Sequence, residues 1–256
     1  MPRWAQWLAT GLAGMAAITI LTGIWPDSGW PMAALVLCVF FSTLAAASRQ
    51  LPLQNVLFAT VLIAIIGGGI SALGTRTGIP FGPFIYRTEA SPQLFKTLPW
   101  AIPLLWVVVV LNSRGVARLI LRPWRKTRTY GFWLMGLTAG LVVAFDLALE
   151  PFASFIKRYW LWTPTQFPLT WQGAPLANFL AWGVVTLLML AFITPLLINK
   201  QLSKRSSPDF HPLVIWLGSL AFFGIAAAQH ALWPLAVADA VIGLVIAAFA
   251  IRGGRW

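Results

Sequence analysis

Asp146 and Glu150 stand four residues apart at the end of an otherwise apolar run that begins at Thr129 and is followed by Pro151. On a helix that spacing puts both side chains on one face, with Cβ atoms about 6 Å apart. Two carboxyls so close in a low dielectric rarely both ionise, so one is expected to keep a proton. A carboxylic acid beside a second carboxyl is suited to general acid–base chemistry on an apolar molecule that arrives through the membrane. The chain has only six acidic residues in 256, and an uncompensated charge at membrane depth costs at least about 2.5 kcal/mol. A site is therefore the favoured reading, and ion pairing with Lys157, Arg158 or Arg87 is the structural alternative. Pro151 is expected to turn Glu150 away from the helix axis, because the residue before a proline avoids helical geometry.

The elements that must hold this pair are transmembrane helices. Hydrophobic residues make up 59% of the chain and charged residues 9%, with mean hydropathy +0.80, whereas soluble domains carry about a quarter charged residues. Eight apolar segments run Trp4 to Ile24, Trp30 to Ala47, Val56 to Leu73, Leu98 to Leu111, Tyr130 to Leu149, Pro175 to Ile198, Pro212 to Ala231 and Pro234 to Ile251. Most approach the roughly 20 residues that a spanning helix needs. The expected fold is all-α, a polytopic integral membrane bundle of about eight transmembrane helices, with residues 1–256 as a single domain. The fourth segment is short, and Pro99 and Pro103 are expected to tilt or kink it. Only Leu232 and Trp233 separate the last two segments, which form either a tight hairpin or one broken unit, and the latter gives seven helices. The first segment follows Arg3 but lacks a small-residue cleavage site before Trp25 and Pro26, so it is expected to be a retained helix and not a signal peptide.

Basic residues orient the bundle. With eight spans and the N-terminus inside, thirteen of the eighteen Lys and Arg residues fall in inner segments, including Arg114, Arg118, Arg122, Arg125, Lys126 and Arg128. The outer segments hold Arg76, Arg87, Lys96, Lys157 and Arg158, and the positive-inside rule is met. The protein is thus expected in the cell membrane, multi-pass, with both termini cytoplasmic. Topology and anionic lipid account for the net charge of +12, so no nucleic-acid partner is expected. Cys38, the only cysteine, excludes an internal disulfide and reads as a packing residue.

That topology places Asp146 and Glu150 at the outer end of the fifth helix, Glu89 in the outer loop Gly74 to Thr97, and His230 and Asp239 around the last outer turn. The connection Phe152 to Pro175 lies on the same side. Its prolines, glycine, Gln166 and Gln172 among the aromatic rings suggest a lid or pocket rim more than an interfacial belt. Asn178 should lie at the depth of Glu150, where it would either hold a water or make an ordinary interhelical hydrogen bond. His230 and Asp239 read as a structural pair pinning the last hairpin, and Gly67-Gly68-Gly69 as a place for close helix packing or a bend. Two histidines and one cysteine, none at ligand spacing with the acids, argue against a metal site. The sequence has no GxSxG, HExxH, GxGxxG or aspartate-rich diphosphate motif.

Two blocks then resemble a known family. Phe81-Gly-Pro-Phe-Ile-Tyr86, with Pro92 and Leu98-Pro-Trp100-Ala-Ile-Pro103-Leu-Leu-Trp106, is similar to a region of the membrane carotenoid-biosynthesis hydratases of the CruF type. So is Asp146-Leu-Ala-Leu-Glu150-Pro151, followed by Tyr159-Trp160-Leu-Trp162 and Gly173-Ala-Pro175-Leu-Ala-Asn178-Phe-Leu-Ala-Trp182. The chain departs from the pattern in two places. The family has an aspartate soon after the loop tyrosine where this chain has Arg87-Thr88-Glu89, and an aspartate where Glu150 stands. The resemblance implies addition of water across the terminal C1–C2 double bond of an acyclic carotenoid end group, giving a tertiary alcohol without a cofactor or metal. It implies Asp146 or Glu150 as the acid, with Glu89, Tyr86 and Asn178 completing the shell. Tyr159, Trp160 and Trp162 would face the carbocation, and Trp100, Trp106 and Trp182 would contact the substrate. The expected partners are an apolar carotenoid, membrane lipid and other carotenoid-biosynthesis enzymes. The competing class is a non-enzymatic carotenoid or lipid carrier, or a scaffold of a biosynthetic assembly.

Overall fold

The computed structural model describes residues 3–23, 29–87, 90, 92–164, 169–198 and 208–256. Among these, eight α-helices follow one another: α1 (Arg3–Leu21), α2 (Gly29–Ala47), α3 (Leu53–Thr77), α4 (Ala101–Ile120), α5 (Tyr130–Glu150), α6 (Leu176–Ile193), α7 (His211–Gln229) and α8 (Trp233–Gly254). Six of them, α3 to α8, are long and apolar enough to cross a membrane, while α1 and α2 contain shorter apolar stretches, Trp7–Leu21 and Pro31–Ala47. The protein is an all-α polytopic membrane bundle. The last two segments are separate helices joined by a tight turn, in which Ala231 takes a left-handed φ of 58° and Leu232 N–H donates to Ala227 O.

Helix α4 is the axis of the molecule, packed against α2, α3, α5, α7 and α8. Two-thirds (67%) of its apolar window is inside the protein, against 22% for α8. Its sequence requires this position, because Asn112, Ser113 and Arg114 lie mid-helix and lipid offers them no partners. Neighbouring helices do so instead: Asn112 Nδ2 donates to Thr43 Oγ1 of α2 at 2.8 Å, and Trp216 Nε1 of α7 donates to Ser113 Oγ at 3.2 Å. The sequence reading of a short fourth segment ending at Leu111 is therefore corrected. The helix continues to Ile120 and carries Arg114 and Arg118 on its own turns, not in an inner loop. Nor does Pro103 kink it, since it stands in the first turn, where a missing N–H breaks no intrahelical bond.

Short strand pairs organise one end of the bundle. Strand β1 (Phe84–Tyr86) pairs antiparallel with β4 (Trp160–Trp162), β2 (Gln93–Leu94) with β3 (Leu98–Pro99), and β5 (Thr170–Trp171) with β6 (Ala174–Pro175). The β1–β4 pair ties the α3–α4 and α5–α6 connections together over the end of the bundle. Gly82 between them has φ 103°, and a Cβ there would meet Pro175 Cγ at 2.7 Å, so a side chain would push the two connections apart.

Candidate active site

The register Phe84↔Trp162, Ile85↔Leu161, Tyr86↔Trp160 sets the chemistry of this cap. Side chains alternate along a strand, so Phe84, Tyr86, Trp160 and Trp162 share one face while Ile85 and Leu161 are exposed on the other. Cross-strand rings meet edge-on or tilted, Phe84 with Trp162 at 5.2 Å between centroids and Tyr86 with Trp160 at 6.0 Å. The aromatic face closes a cavity of about 30 Å³, whose walls include Ser71, Phe81, Trp106, Glu150, Asn178 and Trp182.

Glu150 is a wall of this cavity because α5 does not end as expected. The residue keeps helical geometry (φ −58°, ψ −49°), and the chain runs on from Pro151 to Ile156 as a wider π-helical turn. The expectation that Pro151 would turn Glu150 off the helix is thus corrected. Proline lacks the N–H that would have bonded Leu147 O four residues back, and Trp171 Nε1 takes its place at 3.2 Å. With that carbonyl satisfied, the helix tolerates the proline and Glu150 stays on the face of Asp146. Helices with a π turn often carry functional groups there.

Both carboxyls are buried, Asp146 at 0% and Glu150 at 1% exposure. Glu150 Oε1 accepts from two indoles, Trp160 Nε1 at 2.9 Å and Trp162 Nε1 at 2.5 Å. Asp146 Oδ2 accepts from Asn178 Nδ2 of α6 at 2.8 Å, while its Oδ1 has no hydrogen-bond partner among the described residues. Neither acid forms an ion pair with a described residue, so the expected alternative of pairing with Lys157, Arg158 or Arg87 does not describe their surroundings. The donors are neutral N–H groups, which orient a carboxyl without supplying a counter-charge. Replacing Asn178 by leucine should strip Asp146 of this donor and lower stability by about 1–3 kcal/mol, measurable as a fall in thermal unfolding temperature in detergent. An unchanged midpoint would show that the amide is dispensable.

The opposite wall is built by close helix contact. Gly67 and Gly68 of α3 let α4 approach: a Cβ at Gly67 would lie inside the Trp106 indole, and one at Gly68 would meet Pro103 Cγ at 2.9 Å. The glycine run therefore serves close packing, as read from the sequence. Trp106 stacks on Trp182 with centroids 3.7 Å apart and donates from Nε1 to Ser71 Oγ at 3.1 Å. Tyr86 shares a hydrogen bond with the same serine. Burial pushes the Tyr86 phenol above its ordinary range, only partly opposed by the Ser71 bond, so it is a neutral group at physiological pH.

Of the residues expected from the sequence, Tyr86, Trp106, Glu150, Trp160, Trp162, Asn178 and Trp182 line one cavity, with Asp146 behind Asn178. Tyr159 packs instead against Phe152 at 6.3 Å. Trp100 precedes the first turn of α4 and is not among the lining residues. Glu89 lies outside the described residues. His230 and Asp239 do not bond one another: His230 Nδ1 meets Ala226 O of its own helix at 2.9 Å, and Asp239 is buried over Gly224. Ser71, Phe81, Phe84, Ile102 and Leu105 also line the cavity; all but Ser71 stand in the first motif block, but none was assigned a role from the sequence. The alternation in Phe-Ile-Tyr and Trp-Leu-Trp was the available signal for Phe84. Ser71, four residues after Gly67, had only its helical register with the glycine.

Comparison with known proteins adds an independent line. Residues 29–248 match the model of a family described as carotenoid biosynthesis protein. The chain is 29% identical over 193 residues to a bisanhydrobacterioruberin hydratase of Haloarcula japonica, a match that covers 70% of this chain and 61% of that protein. Somewhat under two-thirds of the relative's length thus has a counterpart here. No solved structure matches the chain. The family match takes in both motif blocks and every element of the cavity, and the protein belongs to the carotenoid biosynthesis protein family.

Proposed function

We propose that the protein is a carotenoid hydratase that adds water across the terminal C1–C2 double bond of an acyclic carotenoid end group. The observation that carries this reading is a pair of buried carboxyls, one helical turn apart, held by neutral N–H donors under a roof of aromatic rings. Glu150 lines the cavity and Asp146 does not, so Glu150 is the proton donor. Its proton goes to C2, the double-bond electrons form the new C–H bond, and the positive charge is left on tertiary C1. The faces of Trp106, Trp160, Trp162 and Trp182 stabilise that cation by up to about 2 kcal/mol each when water is excluded. Water adds at C1 and yields its extra proton to a carboxyl, which restores the acid. Asn178 gives its N–H to Asp146, which leaves its amide oxygen to accept from that water and makes Asp146 and Asn178 the positioning pair.

A cavity of about 30 Å³ has room for one or two waters and must widen to admit an isoprenoid end. Leu105 marks where. It lines this cavity and also a second, apolar one of about 210 Å³ between α1, α2, α4, α5 and α7, walled by Val36, Val108, Phe145 and Phe223 among others. In this reading the polyene lies in the apolar cavity and its tip passes Leu105 to reach Glu150. The concentration of basic residues at the other end of the bundle supports an orientation with the carboxyl end at the outer face and both termini inside. A long polyene would then present its reacting tip near an interface, where water is at hand.

Expression in a lycopene-accumulating host, followed by mass spectrometry of the pigments, tests the activity. Pigment heavier by one water supports it, and unchanged pigment mass with altered pigment location would favour a carrier. Leu105→Trp is expected to cut conversion at least about tenfold by filling the passage, whereas Leu105→Ala should retain it. Full conversion by the tryptophan variant would rule out this route.

A further inference from the structure

The end of the bundle remote from the carboxyls holds a second polar cavity, of about 160 Å³. Four arginines line it: Arg114 and Arg118 of α4, then Arg122 and Arg125 in and after the 3₁₀ turn Arg122–Trp124 that follows. Their spacing of four, four and three residues keeps them along one stripe. Among the described residues Asp209 is the one acidic residue in the lining, and its oxygens are already engaged, Oδ2 by Gln50 Nε2 at 2.5 Å and Oδ1 by His211 N–H at 3.0 Å, with Arg49 3.9 Å away.

Arg114 is the telling residue. It is 7% exposed on the central helix, and its guanidinium donates to Leu197 O at 3.2 Å. It forms no ion pair with a described residue. A guanidinium has five N–H donors and a permanent charge, and one carbonyl cannot balance it. The positive-inside bias accounts for arginines in inner loops, but not for one buried in the bundle. A buried cation with charged neighbours around an open volume matches the chemistry of phosphate recognition, in which the planar guanidinium fork engages two oxygens of one anion.

We propose that this cavity binds a phosphate-bearing anion, with Arg114 at its floor and Arg118 and Arg125 at its rim. The anion is either the headgroup of an acidic phospholipid of the adjoining leaflet or free phosphate from the aqueous side. It would join α2, α4 and α7, all of which contribute to the lining. The proposal does not depend on the reaction at the other end.

The test uses the full chain, purified from nanodiscs of phosphatidylcholine with an equal share of phosphatidylglycerol and examined by native mass spectrometry, with a parallel titration of inorganic phosphate in neutral detergent read as unfolding temperature. Wild type is expected to keep phosphatidylglycerol over phosphatidylcholine at one per chain. The double variant Arg118→Gln/Arg125→Gln, altered only at exposed positions, should lose at least tenfold of that retention while its helical content stays the same. Arg114→Gln should lose it too. A rise in unfolding temperature with inorganic phosphate in the wild type, absent in the double variant, would assign the site to free phosphate. No lipid preference together with no phosphate effect, or a double variant that binds like wild type, would overturn the proposal.

Discussion

Glu150→Gln is expected to lower conversion of an acyclic carotenoid to its hydroxy product by at least about 100-fold, the lower range of what a positioned general acid contributes. The substitution is close to isosteric, and the amide oxygen can still accept from Trp160 Nε1 and Trp162 Nε1, so packing is kept while the transferable proton is lost. Asp146→Asn likewise leaves an oxygen for Asn178 Nδ2 but removes the second carboxyl. Because Asp146 stands behind the cavity wall, its loss should be smaller, about 10-fold, and should shift the pH profile of conversion. Pigment composition by mass spectrometry in a producing host, normalised to the amount of folded protein, measures both. Full conversion by both variants would dismiss the carboxyl pair as the reactive group, and a larger loss at Asp146 than at Glu150 would reverse their roles.

Gly67→Ala should destabilise the protein by about 1–3 kcal/mol, the usual cost of overpacking a filled core, and should lower conversion with it. The added methyl would fall inside the Trp106 indole. That ring cannot shift without leaving both its stack on Trp182 and its bond to Ser71, and it is 1% exposed, so little room exists for it to move. The neighbouring Gly69→Ala is the control, since a Cβ there meets nothing within 4 Å and alanine favours the helix by close to 1 kcal/mol over glycine. Thermal unfolding in detergent separates the two. Equal behaviour of both variants would mean that α3 and α4 do not depend on this contact.

The two predictions draw unequally on the sequence. The acid pair was legible there because a carboxyl within an apolar run is a local anomaly, visible from composition alone. The glycine run was legible as a packing device, but its partner was not, since Trp106 lies 39 positions away in the chain. Arg114 shows the opposite failure. Its charge pointed to a loop, and only Thr43 of α2, Trp216 of α7 and the carbonyl of Leu197 just after α6 explain how a helix can carry Asn112, Ser113 and Arg114 through the bundle.

The amino-acid sequence by itself determined the solvent of this protein, its apolar helical segments up to a choice between seven and eight, the weight of Asp146 and Glu150, and the family resemblance. All of these follow from the hydropathy of contiguous segments or from short ordered motifs. Tertiary structure decided what surrounds the acids. Whether Pro151 would turn Glu150 away depended on an indole 24 residues from Leu147, and the donor to Asp146 came from 32 residues along the chain. The strand pair that sets two indoles on Glu150 joins segments about 75 residues apart. Helix formation is settled by each segment's own transfer from water to lipid, whereas a hydrogen bond between distant donors and acceptors exists only once the helices that carry them have packed.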